Sequence, residues 1–333
     1  MTFSLIICTY MRPKPLLKLL QSVQNQTLYP DELLIIDGST DNKTREVLEK
    51  NHFKNLNYFL IDETKRGLVK QRNYGIEKVA NGIDIICFLD DDTILTSTYF
   101  ESLIATYSAY PQAVGVGGYI TNEVSWKKVN PEETRFYDDY VKDAYVRKMG
   151  SRFVLRKRLG LLPKAQPCMI SEFSHGYSVS FLPPSGKIYE AQFFMGGVSS
   201  FKKELFKKIK FSNYFVGYGL YEDADFCLRA SKFGTMYVNT AAQLGHFHEP
   251  DGRPNKFNYG KMVVRNGWYV WRVGNPNPSL NARIKWHLIT LLLTLIKFSN
   301  IFTSLKWKEA FTEAIGRSFA WWRLLIDKPK VLD

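Results

Sequence analysis

The sequence has few cysteines, and none of them is placed for a disulfide framework or a zinc site. The four, Cys8, Cys87, Cys168 and Cys227, are scattered along 333 residues without a close pair. Cys8 and Cys87 stand inside apolar, strand-like runs, where a thiol is usually buried and unreactive. We therefore expect reduced, buried cysteines in a reducing compartment.

Long apolar runs are also missing. The chain has no run of 18 or more apolar residues, so a membrane-spanning helix is not expected. The N-terminus enters an apolar strand at once, without the basic segment and apolar region of a secretory signal. Together these absences predict a cytoplasmic protein.

Two common phosphate-binding motifs are absent. No G-x-G-x-x-G follows the first predicted strand, and no G-x-x-x-x-G-K-[ST] occurs anywhere. The sequence therefore lacks the main signature of a dinucleotide-binding protein and that of a phosphate-loop ATPase. The chain does have a net charge of +13, from 45 basic and 32 acidic residues. This excess favours polyanionic or phosphorylated partners without choosing among them.

Predicted strands and helices alternate through the first 89 residues. Apolar runs predict strands at 3–8, 33–36, 56–61 and 83–89, with helices between them that end near residues 24, 50 and 79. Alternation of this kind predicts right-handed crossovers and a mostly parallel sheet. Polar residues follow each strand, at the edge where ligands bind in such sheets.

Three consecutive carboxylates, Asp90, Asp91 and Asp92, end the apolar run that begins at Ile83. Adjacent like charges repel, so the cluster is costly unless a cation is bound. Hard oxygen ligands suit Mg²⁺ or Mn²⁺. The alternative is an acidic turn after a strand.

A second acidic pair, Glu222 and Asp223, falls in the first turn of a predicted helix that ends near residue 233. The helix dipole favours carboxylates there, so a structural role is the alternative to general-base catalysis. A short strand is predicted at 236–239, followed by His246 and His248. Two histidines one residue apart can both bind a metal only if a strand-like segment bends toward one point.

Five stretches, taken in this order, resemble the family 2 glycosyltransferases of GT-A fold. They are S-L-I-I-C-T-Y-M-R-P, L-L-I-I-D-G-S-T-D, R-G-L-V-K-Q-R-N-Y-G-I, F-L-D-D-D-T and G-Y-G-L-Y-E-D-A-D-F-C-L-R-A-S-K-F-G. The resemblance covers roughly residues 3 to 250. It implies an α/β fold with a mostly parallel sheet flanked by helices. It also implies an inverting transfer of a sugar from a nucleotide diphosphate to an acceptor hydroxyl, with Mg²⁺ or Mn²⁺.

The same resemblance assigns roles to single residues. Asp223 would be the general base, and Glu222 would orient the acceptor. Asp92 would be the main metal ligand, helped by Asp90, His246 and His248. Donor contacts would come from Thr9, Tyr10, Arg12, Asp37, Arg72, Asp90, Asp91 and Gly197. The family often has two acids in a V-D-D-G-S motif, whereas this chain has only Asp37.

The domain interpretation divides the chain near residue 250. Residues 1–250 are predicted to form the catalytic domain, with a nucleotide-binding half (1–120) and an acceptor-binding half (121–250). Residues 121–190 are left open between an acceptor-binding insertion and a loop-rich cover. Residues 251–333 are predicted to form a C-terminal helical appendage.

The tail from 284 to 326 mixes lysines with tryptophans, as expected at a lipid interface. Its apolar run, Leu288 to Ile296, is too short to span a bilayer. The alternative is a pair of helices packed on the core or on a second subunit.

Two other functions compete with glycosyl transfer. A sugar-phosphate nucleotidyltransferase would carry a phosphate loop rich in glycine and basic residues after the first strand, and none is present. A polyanion-binding module without activity leaves the carboxylate clusters unexplained. We therefore expect a UDP-sugar donor, a glycan or lipid-linked acceptor and no nucleic acid. The predicted setting is bacterial cell-surface polysaccharide or glycolipid synthesis, in the cytoplasm or peripherally on the inner face of the cell membrane.

Overall fold

A computed structural model describes residues 1–130, 135–215, 217–248 and 254–331. The chain divides into two compact units. The first comprises Met1–Ser125 with Val179–Gly252, and the second comprises Trp126–Ser178 with Arg253–Asp333. Residues 126–178 thus group with the C-terminal segment. The predicted functional halves and the boundary near residue 250 stay predictions.

Regular elements follow one another in the order that the sequence predicts for its first third. They are β1 (Phe3–Thr9), α1 (Pro13–Gln24), β2 (Glu32–Asp37), α2 (Lys43–Lys50), β3 (Leu56–Leu60), α3 (Leu68–Lys78), β4 (Ile85–Asp90), β5 (Thr93–Leu95), α4 (Tyr99–Ala109) and β6 (Gly115–Ile120). The middle of the chain adds β7 (Lys127–Lys128), β8 (Asp139–Lys142), β9 (Tyr145–Lys148) and α5 (Ser151–Arg158). The remainder contains β10 (Ile188–Ala191), β11 (Val198–Lys202), α6 (Glu222–Ala230), β12 (Met236–His246), α7 (Lys256–Gly274), α8 (Leu280–Thr303) and α9 (Trp307–Ile326).

The first unit is built on one mixed sheet. Its strand order is β10-β12-β6-β11-β4-β1-β2-β3, with β5 paired to β12. Strands β4, β1, β2 and β3 are parallel, as predicted from the alternation of strands and helices. Strand β11 runs antiparallel to both β4 and β6. The predicted α/β class is therefore confirmed, with parallel pairing concentrated in the first four strands of the fold.

Strands β1, β2 and β4 are buried because apolar residues occupy both of their faces, whereas β3, at the edge of the sheet, is only partly buried. Leu5, Ile7, Leu33 and Ile35 are fully buried in the main core, together with apolar side chains of α1 and α4. A strand covered on both faces needs a continuous apolar run rather than an alternating one. The strand ends are then polar and lie at one edge.

Strand register determines which polar residues meet at that edge. Thr9 pairs with Asp37 across β1 and β2, and Cys8 pairs with Asp90 across β1 and β4. The carboxyl ends of these parallel strands therefore present Thr9, Asp37 and Asp90 side by side, which is where ligands bind in open α/β sheets.

The second unit contains a small sheet and three long helices. The sheet has the order β7-β9-β8. Helices α7 and α9 approach closely, because a Cβ on Gly260 would stand 2.3 Å from the carbonyl oxygen of Glu313. Trp271 of α7 stacks on Trp286 of α8 with ring centroids 5.6 Å apart. Together with Val264, Trp268 and Leu324, these rings form a separate apolar core.

Helix α8 is longer than its apolar run indicates. The run Leu288 to Ile296 lies within a helix of 24 residues, which by length and composition could cross a membrane. The apolar run predicts a segment too short to span a bilayer, and for the length of the helix that prediction is wrong. Length alone is weak support for a span, because core helices of other proteins satisfy the same test.

The cysteines are unpaired, as predicted. Cys87, Cys168 and Cys227 are buried as well, whereas Cys8 is partly exposed, so the prediction of a buried thiol is wrong for Cys8.

Candidate active site

The three carboxylates after β4 have three different surroundings. Asp91 is buried, and it accepts hydrogen bonds from the Thr9 hydroxyl at 2.7 Å and from Arg12 Nη1 at 3.1 Å. Burial raises the pKa of Asp91 to about 6, against the opposing effect of Thr9 and Arg12. Asp91 therefore connects the loop after β1 to the end of β4 from inside the protein.

Asp92 faces a histidine. Its Oδ1 lies 3.0 Å from Nε2 of His246, and its Oδ2 lies 3.5 Å from Arg12 Nη1. One ligand atom from each of Asp92, His246 and His248 falls within 4.8 Å of the others. The structure thus brings together three of the four predicted metal ligands.

Strand β12 carries His246 to this point, because it continues past the predicted end at residue 239. It pairs with β5 so that His246 lies opposite Thr93. The Asn122 side chain donates to the carbonyl oxygen of His246 and accepts from its backbone N–H, each at 2.9 Å. The ring centroids of His246 and His248 are 4.0 Å apart, so the end of the strand brings both rings toward one point.

Glu123 completes the surroundings of the histidines. Its Oε1 lies 3.0 Å from Nε2 of His248 and 3.5 Å from Nδ1 of His246. Burial by itself would lower the pKa of His246, but its contacts with Asp92 and Glu123 raise that pKa to about 10. Nδ1 of His246 is buried and has no hydrogen-bond partner in the described part of the chain.

The fourth predicted ligand, Asp90, pairs with a different cation. Its Oδ1 lies 3.4 Å from Arg72 Nη2, and among the described residues it stands outside the cluster around Asp92. Arg72 Nη1 donates to the carboxylate of Glu222, and the guanidinium packs over the rings of Phe88 and Phe211. Burial opposes the charge of Arg72, yet Glu222 and Asp90 raise its pKa above the usual value. Arg72 therefore joins the end of β4 to the start of α6.

The carboxylates at the start of α6 also differ. Glu222 is buried, and one of its oxygens, Oε2, has no hydrogen-bond partner among the described residues. Burial, more than any neighbour, raises the pKa of Glu222 to about 8. Asp223 is only partly buried and accepts hydrogen bonds from the backbone N–H of Gly196 at 3.1 Å and of Ala224 at 2.8 Å. Asp225 is fully buried against Arg229.

Gly196 and Gly197 lie directly against these groups. A Cβ on Gly196 would stand 2.5 Å from Arg72 Nη1 and 2.8 Å from Glu222 Oε1, and one on Gly197 would stand 2.0 Å from Asp90 Cγ. Glycine is therefore required at both positions, because charged side chains of the protein itself lie too close to the backbone there to leave room for a Cβ.

Asp37 is held at the end of β2. Its oxygens accept hydrogen bonds from the Ser39 backbone N–H at 2.8 Å and from the Tyr58 hydroxyl at 2.9 Å. Tyr10 is exposed nearby, with the guanidinium of Arg66 6.0 Å from its ring centroid. This end of the site combines a buried carboxylate with an exposed aromatic ring.

Sequence reasoning missed several residues that hold the site. Gln71 donates to the carbonyl oxygens of Thr9 at 3.1 Å and Ile36 at 2.8 Å, so it fixes the ends of β1 and β2. Glu123 was missed although it follows β6, just as Asp90 ends β4. Its position shortly after a predicted strand, like that of the other polar site residues, is the signal by which Glu123 could have been identified from the sequence. The functional roles assigned to the site residues stay predictions.

Comparisons with known proteins agree with this architecture. The family model described as glycosyl transferase family 2 matches residues 4–164, and one described as the N-terminal domain of galactosyltransferase matches residues 178–250. A solved structure of GalNAc-T7 with UDP, GalNAc and Mn²⁺ aligns with a TM-score of 0.51 and 17% identity, over 79% of this chain and 48% of that one. That likeness concerns the fold alone.

Curated relatives are similar over a shorter length. The glucosyl-dolichyl phosphate glucuronosyltransferase of Haloferax volcanii is 31% identical over 135 residues, which is 40% of this chain and 42% of the relative. The O-antigen chain rhamnosyltransferase RfbN of Salmonella typhimurium is 30% identical over 131 residues, which is 39% of this chain and 40% of the relative. The chain thus spans about two fifths of the length of these relatives. Residues 4–164 therefore resemble glycosyl transferase family 2, and the fold is of the GT-A type.

Proposed function

We propose that this protein is an inverting, metal-dependent glycosyltransferase that moves a sugar from a UDP-sugar to an acceptor hydroxyl. The observation that carries the proposal is the meeting of Asp92, His246 and His248 beside the end of β4, with ligand atoms within 4.8 Å of one another. A second carboxylate, Asp223, stands at the start of α6 and accepts a hydrogen bond from Gly196, whose neighbour Gly197 borders Asp90.

The donor set fits a divalent cation. Cis ligands of an octahedral ion at about 2.1 Å lie about 3 Å apart. The separation between Asp92 Oδ1 and His246 Nε2 is 3.0 Å. Two imidazoles favour Mn²⁺ over Mg²⁺, because Mg²⁺ prefers oxygen ligands. Bound there, the ion would stabilise the negative charge of the departing diphosphate.

Asp223 is our choice for the general base. Burial raises the pKa of Asp223, which makes its carboxylate a better proton acceptor. Its neighbour Glu222 is 4% exposed and is occupied by Arg72. In the proposed displacement, Asp223 takes the proton of the acceptor hydroxyl as that oxygen bonds to the anomeric carbon, and the bond to the diphosphate breaks.

The donor would lie along the carboxyl ends of β1, β2 and β4. Thr9, Tyr10 and Asp37 border the region for the nucleoside, and the exposed Tyr10 ring offers a surface on which a base can stack. Arg12 lies beside Asp91 and Asp92, where it would neutralise charge near the diphosphate. The buried position of Arg72 favours a role in holding Asp90 and Glu222 over direct contact with the donor.

The acceptor is proposed to be a glycan, carried on a lipid in the synthesis of a bacterial cell-surface polysaccharide or glycolipid. The lipid phosphate in the name of the Haloferax volcanii relative supports a lipid-linked acceptor. Catalysis would take place on the cytoplasmic side, peripherally on the membrane.

An apolar surface on the last two helices supports the peripheral location. We define the α8–α9 apolar face as the exposed large apolar residues at three- and four-residue spacing, namely Ile284, Leu288, Leu291 and Leu295 on α8 and Trp307, Phe311, Ile315, Phe319 and Trp322 on α9. Exposed basic residues accompany it, namely Lys306, Lys308, Arg323, Lys328 and Lys330. Apolar residues bordered by cations suit a surface of anionic lipid. Contact with a second copy of the chain is the alternative.

Binding of UDP tests the metal-dependent site directly. We expect UDP to raise the melting temperature only when Mn²⁺ is present, and Asp92→Asn to abolish that rise. An equal rise without a metal would contradict the metal site. Formation of UTP from the donor and pyrophosphate, without sugar transfer, would instead favour the nucleotidyltransferase.

A further inference from the structure

The carboxylate of Glu123 lies outside the proposed metal cluster and faces both histidines of that cluster, His246 and His248. Glu123 follows β6, and its neighbour Asn122 exchanges two hydrogen bonds with the backbone of His246. The segment that carries Glu123 is therefore attached to the end of β12. The relative positions of Glu123 and the histidines are set by backbone contacts rather than by chance encounters of long side chains.

The ring nitrogens of His246 and His248 contact two different carboxylates, Asp92 and Glu123. Nε2 of His246 lies 3.0 Å from Asp92, whereas its other nitrogen, Nδ1, lies 3.5 Å from Glu123. Nε2 of His248 is 3.0 Å from the same Glu123 oxygen. An imidazole that binds a metal through one nitrogen carries its proton on the other, and a carboxylate that accepts this proton fixes the ring and its tautomer.

We propose that Glu123 is the positioning residue of the metal site, a role that rests on the metal-dependent function proposed above. Its carboxylate is hydrogen-bonded to His248 Nε2, and with the ion bound it would also accept the N–H of His246 Nδ1. This leaves Nε2 of His246 and Nδ1 of His248 available to the ion. The distance of 3.5 Å to His246 is long for a hydrogen bond and would shorten when the ring turns toward a bound cation.

The competing interpretation is an ordinary surface contact. The side chain of Glu123 is 31% exposed, and exposed ion pairs contribute little to stability. The two interpretations differ in what they predict for metal binding, because a surface contact has no effect on the affinity for Mn²⁺.

The test measures Mn²⁺ affinity by electron paramagnetic resonance on the full chain, with UDP present. We expect Glu123→Ala to weaken Mn²⁺ binding about 10- to 100-fold, as loss of an outer-shell carboxylate does. Glu123→Gln keeps one oxygen acceptor, so it should recover part of that affinity and has nearly the shape of the native residue should the alanine variant fail to fold. Glu46→Ala, which removes an exposed carboxylate from α2, is the matched control and should bind as the native protein does.

Asp92→Asn separates the failure of this inference from the failure of the proposed function. If Asp92→Asn abolishes Mn²⁺ binding while Glu123→Ala leaves it unchanged, the positioning role is overturned and the metal site stands. A loss in both Glu123 variants as complete as that in Asp92→Asn would make Glu123 a direct ligand, which also overturns the role. Unchanged binding in Asp92→Asn would overturn the metal site itself.

Discussion

Arg72 and Glu222 form a buried ion pair between residues 150 positions apart in the sequence. Their side chains are 3% and 5% exposed. The same guanidinium reaches Asp90 at 3.4 Å, so one arginine connects the carboxylates after β4 with those that begin α6. The two acidic motifs that the sequence presents separately are parts of a single charged network.

Removal of Arg72 should destabilise the protein strongly. Above pH 8, where Glu222 is ionised, Arg72→Met leaves Asp90 and the buried Glu222 without their cation, so we expect a loss of about 3–5 kcal/mol in the free energy of unfolding. Arg45→Met breaks only an exposed pair with Glu49 and should change that free energy by less than about 0.5 kcal/mol. Urea denaturation of the two variants measures both values. Equal stability would contradict a network centred on Arg72.

Glu222 should give the stability of the protein a specific pH dependence. Burial raises the pKa of Glu222 to about 8 from its ordinary value of 4.5, so the folded state binds a proton that the unfolded state releases between these values. Stability contributed by this group therefore falls as pH rises from about 4.5 to 8, with a slope of up to about 1.4 kcal/mol per pH unit. Glu222→Gln cannot titrate, so its unfolding free energy should fall less steeply across this window. Parallel curves for the two proteins would show that Glu222 is already ionised in the folded state.

Asp223 should affect turnover more than binding. Asp223→Asn keeps the hydrogen bond from Gly196 but cannot accept a proton, so we expect turnover to fall roughly 10²–10⁴-fold with little change in donor affinity. Glu222→Gln should lower turnover less and weaken the apparent affinity for the acceptor more. Steady-state transfer assays combined with UDP titration separate these effects. The reverse ranking would move the base to Glu222, and normal turnover in both variants would leave the pair with a structural role.

Charges placed on the α8–α9 apolar face should weaken binding to lipid. Truncation is a poor test, because Trp286 and Leu324 belong to the core that α8 and α9 share with α7. Leu291→Glu and Ile315→Glu change exposed positions, and we expect each to reduce sedimentation with anionic vesicles at low salt. Leu60→Glu alters an exposed leucine on β3 and serves as the control. Unchanged sedimentation, together with a dimer that these variants dissociate, would assign the face to self-association.

Much of the fold is predictable from the sequence alone. The runs from Phe3 and Leu33 are short and apolar on both faces, as in a strand buried between helix layers, and a helix begins at Pro13 as predicted. Strand ends also locate Thr9, Asp37 and Asp90, since parallel strands end at a common edge. These features follow from local patterns of a few residues.

The partners of the site residues could not be predicted in this way. The local pattern treats Asp90, Asp91 and Asp92 alike, yet Arg72, Thr9 and His246 each contact a different one of them. Likewise, Glu123 approaches the histidines only because β12 extends to His246 and pairs with β5. The sequence by itself determined which chemical groups stand at the strand ends. Tertiary structure decided which of them pair, because the direction of a side chain and its burial depend on strands that are distant in the chain and adjacent in the sheet.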